Sequence, residues 1–150
     1  MNHQYSLSLE VLKREEELFK IFLISRGIDS VEWEIIKSEN PEKLDGLLTM
    51  FSDYYLNHLL ETHRYYLLKS STLISALRLD DSGISYFQLK LENILNDQMN
   101  THGTLQHFNT SYTQSPKEHL FQLIELGYQP VESRYFNDLA LKYAEQIELK

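Results

Sequence analysis

The spacing of apolar residues in this chain changes near residue 63. Before that point apolar residues recur about every 3.6 positions, as on one face of a helix; after it they alternate, as in a strand. One element cannot satisfy both periods, so we expect helices followed by a sheet. The formal charge changes at the same place, because residues 1–62 carry 6 basic and 12 acidic side chains and residues 63–150 carry 8 and 10.

Three helices are predicted before this boundary. Ser8 can cap a first helix that continues to Gly27, since glycine commonly follows the last helical residue. Ser30 can cap a short second helix. Asn40 precedes a proline that suits the first helical turn, so a third helix is predicted from there to about Thr62.

An antiparallel β-hairpin is predicted after the boundary. Arg64–Lys69 and Thr72–Leu79 are rich in strand-forming residues, and Ile84–Glu92 alternates apolar and polar side chains. Asp80–Gly83 supplies the turn residues between the second and third of these segments. An isolated hairpin is only marginally stable, so it needs the helices or a further strand to pack against.

The polar segment 96–115 leaves two interpretations open. Leu105–Tyr112 alternates weakly within it and is predicted as either a third strand or a loop. A structureless loop of about 20 residues is uncommon in a compact domain, so we expect part of the segment to be ordered.

A helical pair is predicted at the end of the chain. Ser115, Pro116 and Glu118 have the spacing of a capping box with proline in the first turn, and Gly127 can end that helix. Ser133 can open the last helix. The predicted fold is therefore α+β, with N-terminal helices, a central antiparallel hairpin with a possible third strand, and a C-terminal helix pair. The lack of a linker predicts one domain over residues 1–150.

The composition disfavours several classes of protein. A formal net charge of -8 argues against binding to nucleic acid, because phosphate contacts need positive charge. No apolar run is long enough to cross a membrane, and the first ten residues lack the pattern of a secretory signal. The absence of cysteine removes disulfides and thiolate chemistry. We therefore expect a cytoplasmic protein that binds neither nucleic acid nor membrane.

No metal or cofactor site is predicted. His58 and His63, like His102 and His107, are five residues apart, whereas two ligands on one helix need a spacing of three or four. The five glycines are too far apart to form a phosphate-binding loop. We expect these histidines to be scattered over the surface.

Glu15 and His58 are the candidates for an enzymatic alternative. Each is a polar residue within the apolar stripe of its predicted helix. If buried and facing each other, they could form an acid–base pair in the pocket of a small-molecule-binding or hydrolytic enzyme, with that pocket between the first helix, the third helix and the sheet. The simpler interpretation is a solvated Glu15 and a His58 that bonds to a backbone carbonyl.

The aromatic content favours a non-enzymatic protein-interaction or accessory module. The chain has 10 Tyr, 7 Phe and 1 Trp, and tyrosine suits interfaces because it buries area while keeping a polar tip. We expect a protein partner, or a second copy of the chain, to dock on the sheet region and the polar segment 96–115, where an exposed strand edge would suit strand addition. The candidate interface residues are Tyr65, Tyr66, Leu68, Ile74, Tyr86, Phe108 and Tyr112.

Four segments in this order resemble a family of small acidic proteins from Bacteroidota that is classed as a domain of unknown function. They are GIDSVEWEIIKSENPEKLDGLLTMFSDYYL, RYYLLKSSTLISALRLDDSGISYFQLKL, the polar stretch NDQMNTHGTLQHFNTSYTQS and SPKEHLFQLIELGYQP. The resemblance implies a cytosolic bacterial protein. It assigns no activity and no site residue.

Overall fold

The computed structural model describes residues 7–91 and 103–148, and within them the chain forms helices and one antiparallel sheet. The α+β class is therefore confirmed. The helices are α1 (Leu9–Arg14), α2 (Glu16–Ser25), α3 (Ser30–Glu39), α4 (Pro41–Thr62), α5 (Pro116–Leu126) and α6 (Arg134–Glu148). The strands are β1 (Tyr65–Lys69), β2 (Leu73–Leu79), β3 (Gly83–Leu91), β4 (Gly103–Ser111) and β5 (Gln129–Pro130).

The chain divides into two compact units, residues 1–58 and residues 59–150. The first, the helical unit, holds α1 to α3 and most of α4; the second, the sheet unit, holds the sheet with α5 and α6. The prediction of one domain over residues 1–150 stays a prediction.

The first predicted helix is wrong in one respect, because it is two helices. Ser8 caps α1 as expected, its side chain accepting a hydrogen bond from the Val11 N–H. Glu15 then leaves helical geometry, with φ −103° and ψ 30°, and separates α1 from α2. Gly27 has φ +75°, the left-handed conformation that glycine adopts easily after a helix.

The next two helices begin as the capping patterns indicate, with one correction. Asp29, not Ser30, caps α3, since its carboxylate accepts from the Glu32 N–H at 2.8 Å. Asn40 caps α4 by accepting from the Lys43 N–H at 3.2 Å. The predicted end of this helix at Thr62 is confirmed.

Aromatic rings fill the interior of the helical unit. Phe51 on α4 is fully buried, and its ring centroid lies 4.8 Å from that of Phe19 and 5.5 Å from that of Phe22, both on α2. Trp33 of α3 meets Phe19 edge-on at 5.1 Å. Burial of these rings holds α2, α3 and α4 together.

The sheet is larger than the predicted hairpin. In the part of the chain that the structure describes, five strands pair in the order β4-β3-β2-β1-β5, and every pairing is antiparallel. The strand interpretation of Leu105–Tyr112 is confirmed, because this segment forms most of β4. The two-residue strand β5 pairs with Tyr66 and Leu67 and was not predicted. Glu92 and residues 96–102 of the predicted elements lie outside the described residues.

Each face of the sheet has its own cover within the sheet unit. One face presents Ala76, Phe87 and Leu105 to Phe136 and Leu139 of α6. On the opposite face the Ser75 hydroxyl lies 2.7 Å from the Tyr128 hydroxyl, just beyond the end of α5. The sheet thus contacts α6 on one face and Tyr128 on the other, and it still has edges.

Both C-terminal helices begin where predicted, and α5 also ends where predicted. The Ser115 side chain accepts from the Glu118 N–H, and Gly127 ends α5 with φ +113°. Helix α6 begins at Arg134, directly after Ser133.

Candidate functional site

Strand β4 forms one outer edge of the sheet. It pairs with β3 in an unbroken register from Gly83 opposite Ser111 to Leu91 opposite Gly103. No strand among residues 7–91 and 103–148 pairs with its other side. This outer side of β4 is called the β4 edge below.

The hydrogen-bond pattern shows which backbone groups point outward at the β4 edge. The Tyr112 N–H donates to the Ser82 carbonyl, which extends the β3–β4 register by one bonded pair. Bonded and non-bonded pairs alternate in an antiparallel ladder, so even-numbered β4 residues bond to β3. The β2–β3 ladder agrees with this assignment. The Leu91 N–H donates to the Thr72 carbonyl, so the odd-numbered β3 residues bond to β2 and the even-numbered β3 residues bond to β4. The residues that direct N–H and C=O groups outward are therefore the odd-numbered ones, Gly103, Leu105, His107, Asn109 and Ser111.

The β4 edge lacks the usual protection against pairing with another chain. Natural edge strands are commonly blunted by charge, proline, a bulge or shortness. Strand β4 is nine residues long, has no bulge in its register and contains no Lys, Arg, Asp, Glu or Pro. Most of its side chains are exposed. Such an edge is a ready template for an additional strand.

Two of the predicted interface residues meet at this edge. Phe108 of β4 and Tyr86 of β3 are cross-strand partners, and their rings stack at 4.8 Å with 13° between the planes. Among the described strand residues, Phe108 is the one exposed large apolar side chain, at 37%. The pair forms an aromatic platform beside the outward backbone groups.

The surroundings of Tyr86 favour its neutral form. Burial, and then the proximity of Tyr128 and Tyr112, raise the pKa of Tyr86 to about 12. Burial is also the main cause that raises the pKa of Tyr112, whose hydroxyl donates to the Asp80 carbonyl at 2.7 Å. Tyr112 therefore anchors the chain just after β4.

Tyr86→Phe is expected to reduce the loss of stability at alkaline pH. Because the pKa of Tyr86 is higher in the folded protein than in the unfolded chain, this tyrosine ionises at a lower pH when the chain is unfolded. The stability that neutral Tyr86 contributes is therefore complete below pH 10 and is lost as the pH rises towards 12. Denaturant unfolding at several pH values should show a shallower decline for Tyr86→Phe than for the wild type. Equal declines would contradict the assignment, and similar stabilities at neutral pH provide the control.

A groove of about 480 Å³ lies beside the first half of β4. Its lining combines Leu105, His107 and Phe108 with Tyr143 and Gln146 of α6. The His107 ring stacks on Phe87 at 4.3 Å, and its Nε2 lies 3.2 Å from the Ser85 hydroxyl, which fixes the ring against the sheet. The groove offers an apolar and amide-bearing wall to a strand placed at the edge.

The other predicted interface residues lie elsewhere in the sheet unit. Tyr66 is fully buried and its hydroxyl donates to the His63 carbonyl, so it presents no surface to a partner. Tyr65 and Ile74 are half-buried and pack against the α6 side of the sheet. Leu68 is half-buried on the other face, close to Gly127. Only part of the predicted set is therefore accessible.

Glu15 and His58 have identifiable neighbours within the helical unit. Glu15 accepts a hydrogen bond from the Tyr55 hydroxyl at 3.1 Å and lies 3.7 Å from the Arg14 Nε. Burial, followed by the charge of Glu15, raises the pKa of Tyr55. His58 is half-buried, and its ring stacks on Tyr54 at 6.3 Å. These contacts give Glu15 a structural role at the break between α1 and α2.

An apolar groove of about 360 Å³ lies between α2 and α3. Phe19, Leu23, Ile28 and Trp33 supply its apolar wall, and neither Glu15 nor His58 lines it. This groove is therefore not the pocket with Glu15 and His58 that the enzymatic alternative predicts.

The described ranges contain neither a metal-binding cluster nor a membrane-spanning helix. No group of three or more His, Cys, Asp or Glu side chains in residues 7–91 and 103–148 is arranged to hold a metal ion. His102, one of the histidines considered above, is outside those ranges. None of the helices described is long and apolar enough to cross a membrane.

Within residues 7–91 and 103–148, helices followed by an antiparallel sheet with an unpaired outer strand define an α+β protein. Residues 3–143 match the family of unknown function DUF6495, so the chain belongs to this family. No curated protein and no solved structure matches the sequence.

Proposed function

We propose that this chain is a cytoplasmic bacterial protein-interaction module without enzymatic activity, and that it binds an extended polypeptide segment along the β4 edge. The observation that carries the proposal is an uncharged, unbulged, nine-residue edge strand with exposed side chains. Leu105, His107, Asn109 and Ser111 point their backbone groups outward. Adding a strand to such an edge is a common mode of peptide recognition.

The chemistry of the β4 edge supplies both affinity and specificity. Each backbone hydrogen bond to an added strand contributes about 0.5–1.5 kcal/mol net, so several in a row are needed for stable binding. The Tyr86–Phe108 platform lies on one face of the added strand and the groove beside Tyr143 on the other. These surfaces select side chains at alternate positions of the bound segment.

The enzymatic alternative has weaker support. Glu15 is engaged by Tyr55, and neither Glu15 nor His58 lines the groove between α2 and α3. Glu15 and His58 are both half-buried, and the stacking partner of His58, Tyr54, is exposed. The β4 edge, by contrast, combines exposed side chains with backbone groups that no strand of residues 7–91 or 103–148 pairs with.

Asn109→Pro tests the proposal at one outward backbone group. Proline is tolerated in an edge strand where the missing N–H faces solvent, so the β3–β4 ladder should persist. An added strand, however, no longer receives a hydrogen bond from the N–H at position 109, and it collides with the proline ring. Asn109→Ala is the matched control, because it shortens the same exposed side chain and keeps the outward N–H.

The measurement is quantitative recovery of binding proteins from a lysate of the native host, with tagged wild type, Asn109→Ala and Asn109→Pro as baits. We expect a protein that wild type and Asn109→Ala retain equally and Asn109→Pro retains at least about tenfold less, equivalent to about 1.4 kcal/mol. Circular dichroism checks that each bait is folded. Asn109→Lys, which charges the edge, should repeat the loss, and unchanged recovery with both variants would refute the proposal.

A further inference from the structure

We infer that the segment bound at the β4 edge is β4 of a second copy of this chain, paired antiparallel about a two-fold axis at Phe108. The inference rests on the proposed function, because it requires the β4 edge to be open. It adds the identity of the partner and the register of pairing.

The outward backbone groups are self-complementary in this register. A two-fold axis at Phe108 places Leu105 opposite Ser111 and His107 opposite Asn109 of the second copy. All the outward positions from Leu105 to Ser111 then fall in bonded pairs, and each such pair exchanges two hydrogen bonds. No outward backbone group within that stretch is left without a partner.

The same register brings the exposed aromatic side chain to the centre of the contact. Phe108 faces its own copy in a non-bonded pair, where Cα atoms are about 4.5 Å apart and side chains approach most closely. Aromatic cross-strand pairs stabilise antiparallel sheets. Because Phe108 already stacks on Tyr86 at 4.8 Å, the two copies would join their platforms into one row of four rings.

Charge also favours a second copy at this edge over other surfaces. Two chains of net charge -8 repel each other, yet residues 103–116 contain no Lys, Arg, Asp or Glu. Like charges therefore do not face each other across a β4–β4 contact. The same lack of charge gives this stretch no means of selecting an acidic or basic partner.

The groove beside β4 fits the second strand in this register. Asn109 and Ser111 of the second copy lie opposite His107 and Leu105, on the side of the sheet covered by α6. Their small polar side chains therefore meet the wall formed by Tyr143 and Gln146. The alternative register, centred on His107, would instead place Phe108 opposite Gln106 and bury less apolar surface.

Single cysteines test both the partner and the register, and the chain has no cysteine of its own. Phe108→Cys places two thiols across the two-fold axis at a Cα separation of about 4.5 Å, within the range for a disulfide. Gln106→Cys is the matched control on the same strand and face. Its two copies would lie four residues out of register, about 13 Å apart along the strand, too far to be bridged.

With oxidised glutathione as the oxidant, we expect Phe108→Cys to run as a covalent dimer on a non-reducing gel and Gln106→Cys as a monomer. Equal cross-linking of the two variants, or none in either, would overturn the register. Analytical ultracentrifugation of the wild type should give a mass of about twice 17.8 kDa.

Hydrogen exchange of the unmodified chain separates failure of this inference from failure of the proposed function. We expect protection of the outward N–H groups of Leu105, His107, Asn109 and Ser111 that increases with protein concentration. If these amides exchange rapidly, whether the chain is a monomer or a dimer, the inferred pairing with a second copy is refuted. The edge would then remain open to another segment. A monomer in which they are protected at every concentration would refute both proposals, because the edge would then be covered within the chain.

Discussion

Phe51→Ala is expected to lower the free energy of unfolding of the helical unit by about 3–5 kcal/mol, the usual cost of truncating a buried phenylalanine. Phe51 is 0% exposed, and its ring lies within 6.3 Å of those of Phe19, Phe22, Tyr54 and Tyr55. The truncation removes apolar burial and leaves a cavity between α2 and α4. Neighbouring rings on two helices cannot all move to fill it.

Trp33 provides the measurement, because it is the single tryptophan of the chain and contacts Phe19 in the same cluster. Its fluorescence in a denaturant titration should show the midpoint falling steeply for Phe51→Ala. Met50→Ala is the control on the adjacent, 39% exposed position and should change stability by no more than about 0.5 kcal/mol. Similar midpoints for the two variants would show that the cluster does not stabilise this unit.

The helix ends were predictable because capping is local chemistry. Ser8, Asn40 and Ser115 each accept a hydrogen bond from an N–H three residues later, and this pattern can be recognised in the sequence. The wrong assignment of Ser30 as the cap of α3 has the same local origin. Asp29 and Ser30 are both good caps, and the sequence does not rank neighbouring candidates.

The break at Glu15 was not predictable from helical spacing. Glu15 bonds to Tyr55, which is 40 residues away in the chain, so the local pattern contains no sign of the contact. Strand β5 was missed for a similar reason. Its two residues are too few to show alternation, and they are strands only because they pair with Tyr66 and Leu67.

The candidate site was predicted in part. The alternation of Leu105–Tyr112 and the lack of charge around it are visible in the sequence, and both are features of the β4 edge. Its position at the edge is not visible, because strand order depends on pairing between distant segments. Tyr66, which is fully buried, shows the same limit. Alternation in the sequence separates the two faces of a strand, but it does not show how deeply each face is buried.

Gly83→Ala is expected to destabilise the sheet unit by about 3 kcal/mol, the upper part of the usual cost of overpacking. The sequence suggests only a turn role for Gly83, but the structure shows a steric one. A Cβ at this position would collide with the Thr110 carbonyl oxygen of β4 and press on Ser111. These are backbone atoms, so the contact can be relieved only by moving β4 away from β3.

The displacement of β4 would also remove the proposed docking edge, so stability and pairing should fail together. Thermal unfolding followed by far-ultraviolet circular dichroism measures the first, and loss of the Phe108→Cys cross-link in a Gly83→Ala background measures the second. Gly46→Ala is the matched control in α4, where an added Cβ meets no atom within 4 Å and should stabilise the helix by up to about 1 kcal/mol. A Gly83→Ala chain that kept both its stability and its cross-link would show that β4 does not need this close approach to β3, and that the edge is built on a looser pairing than the structure indicates.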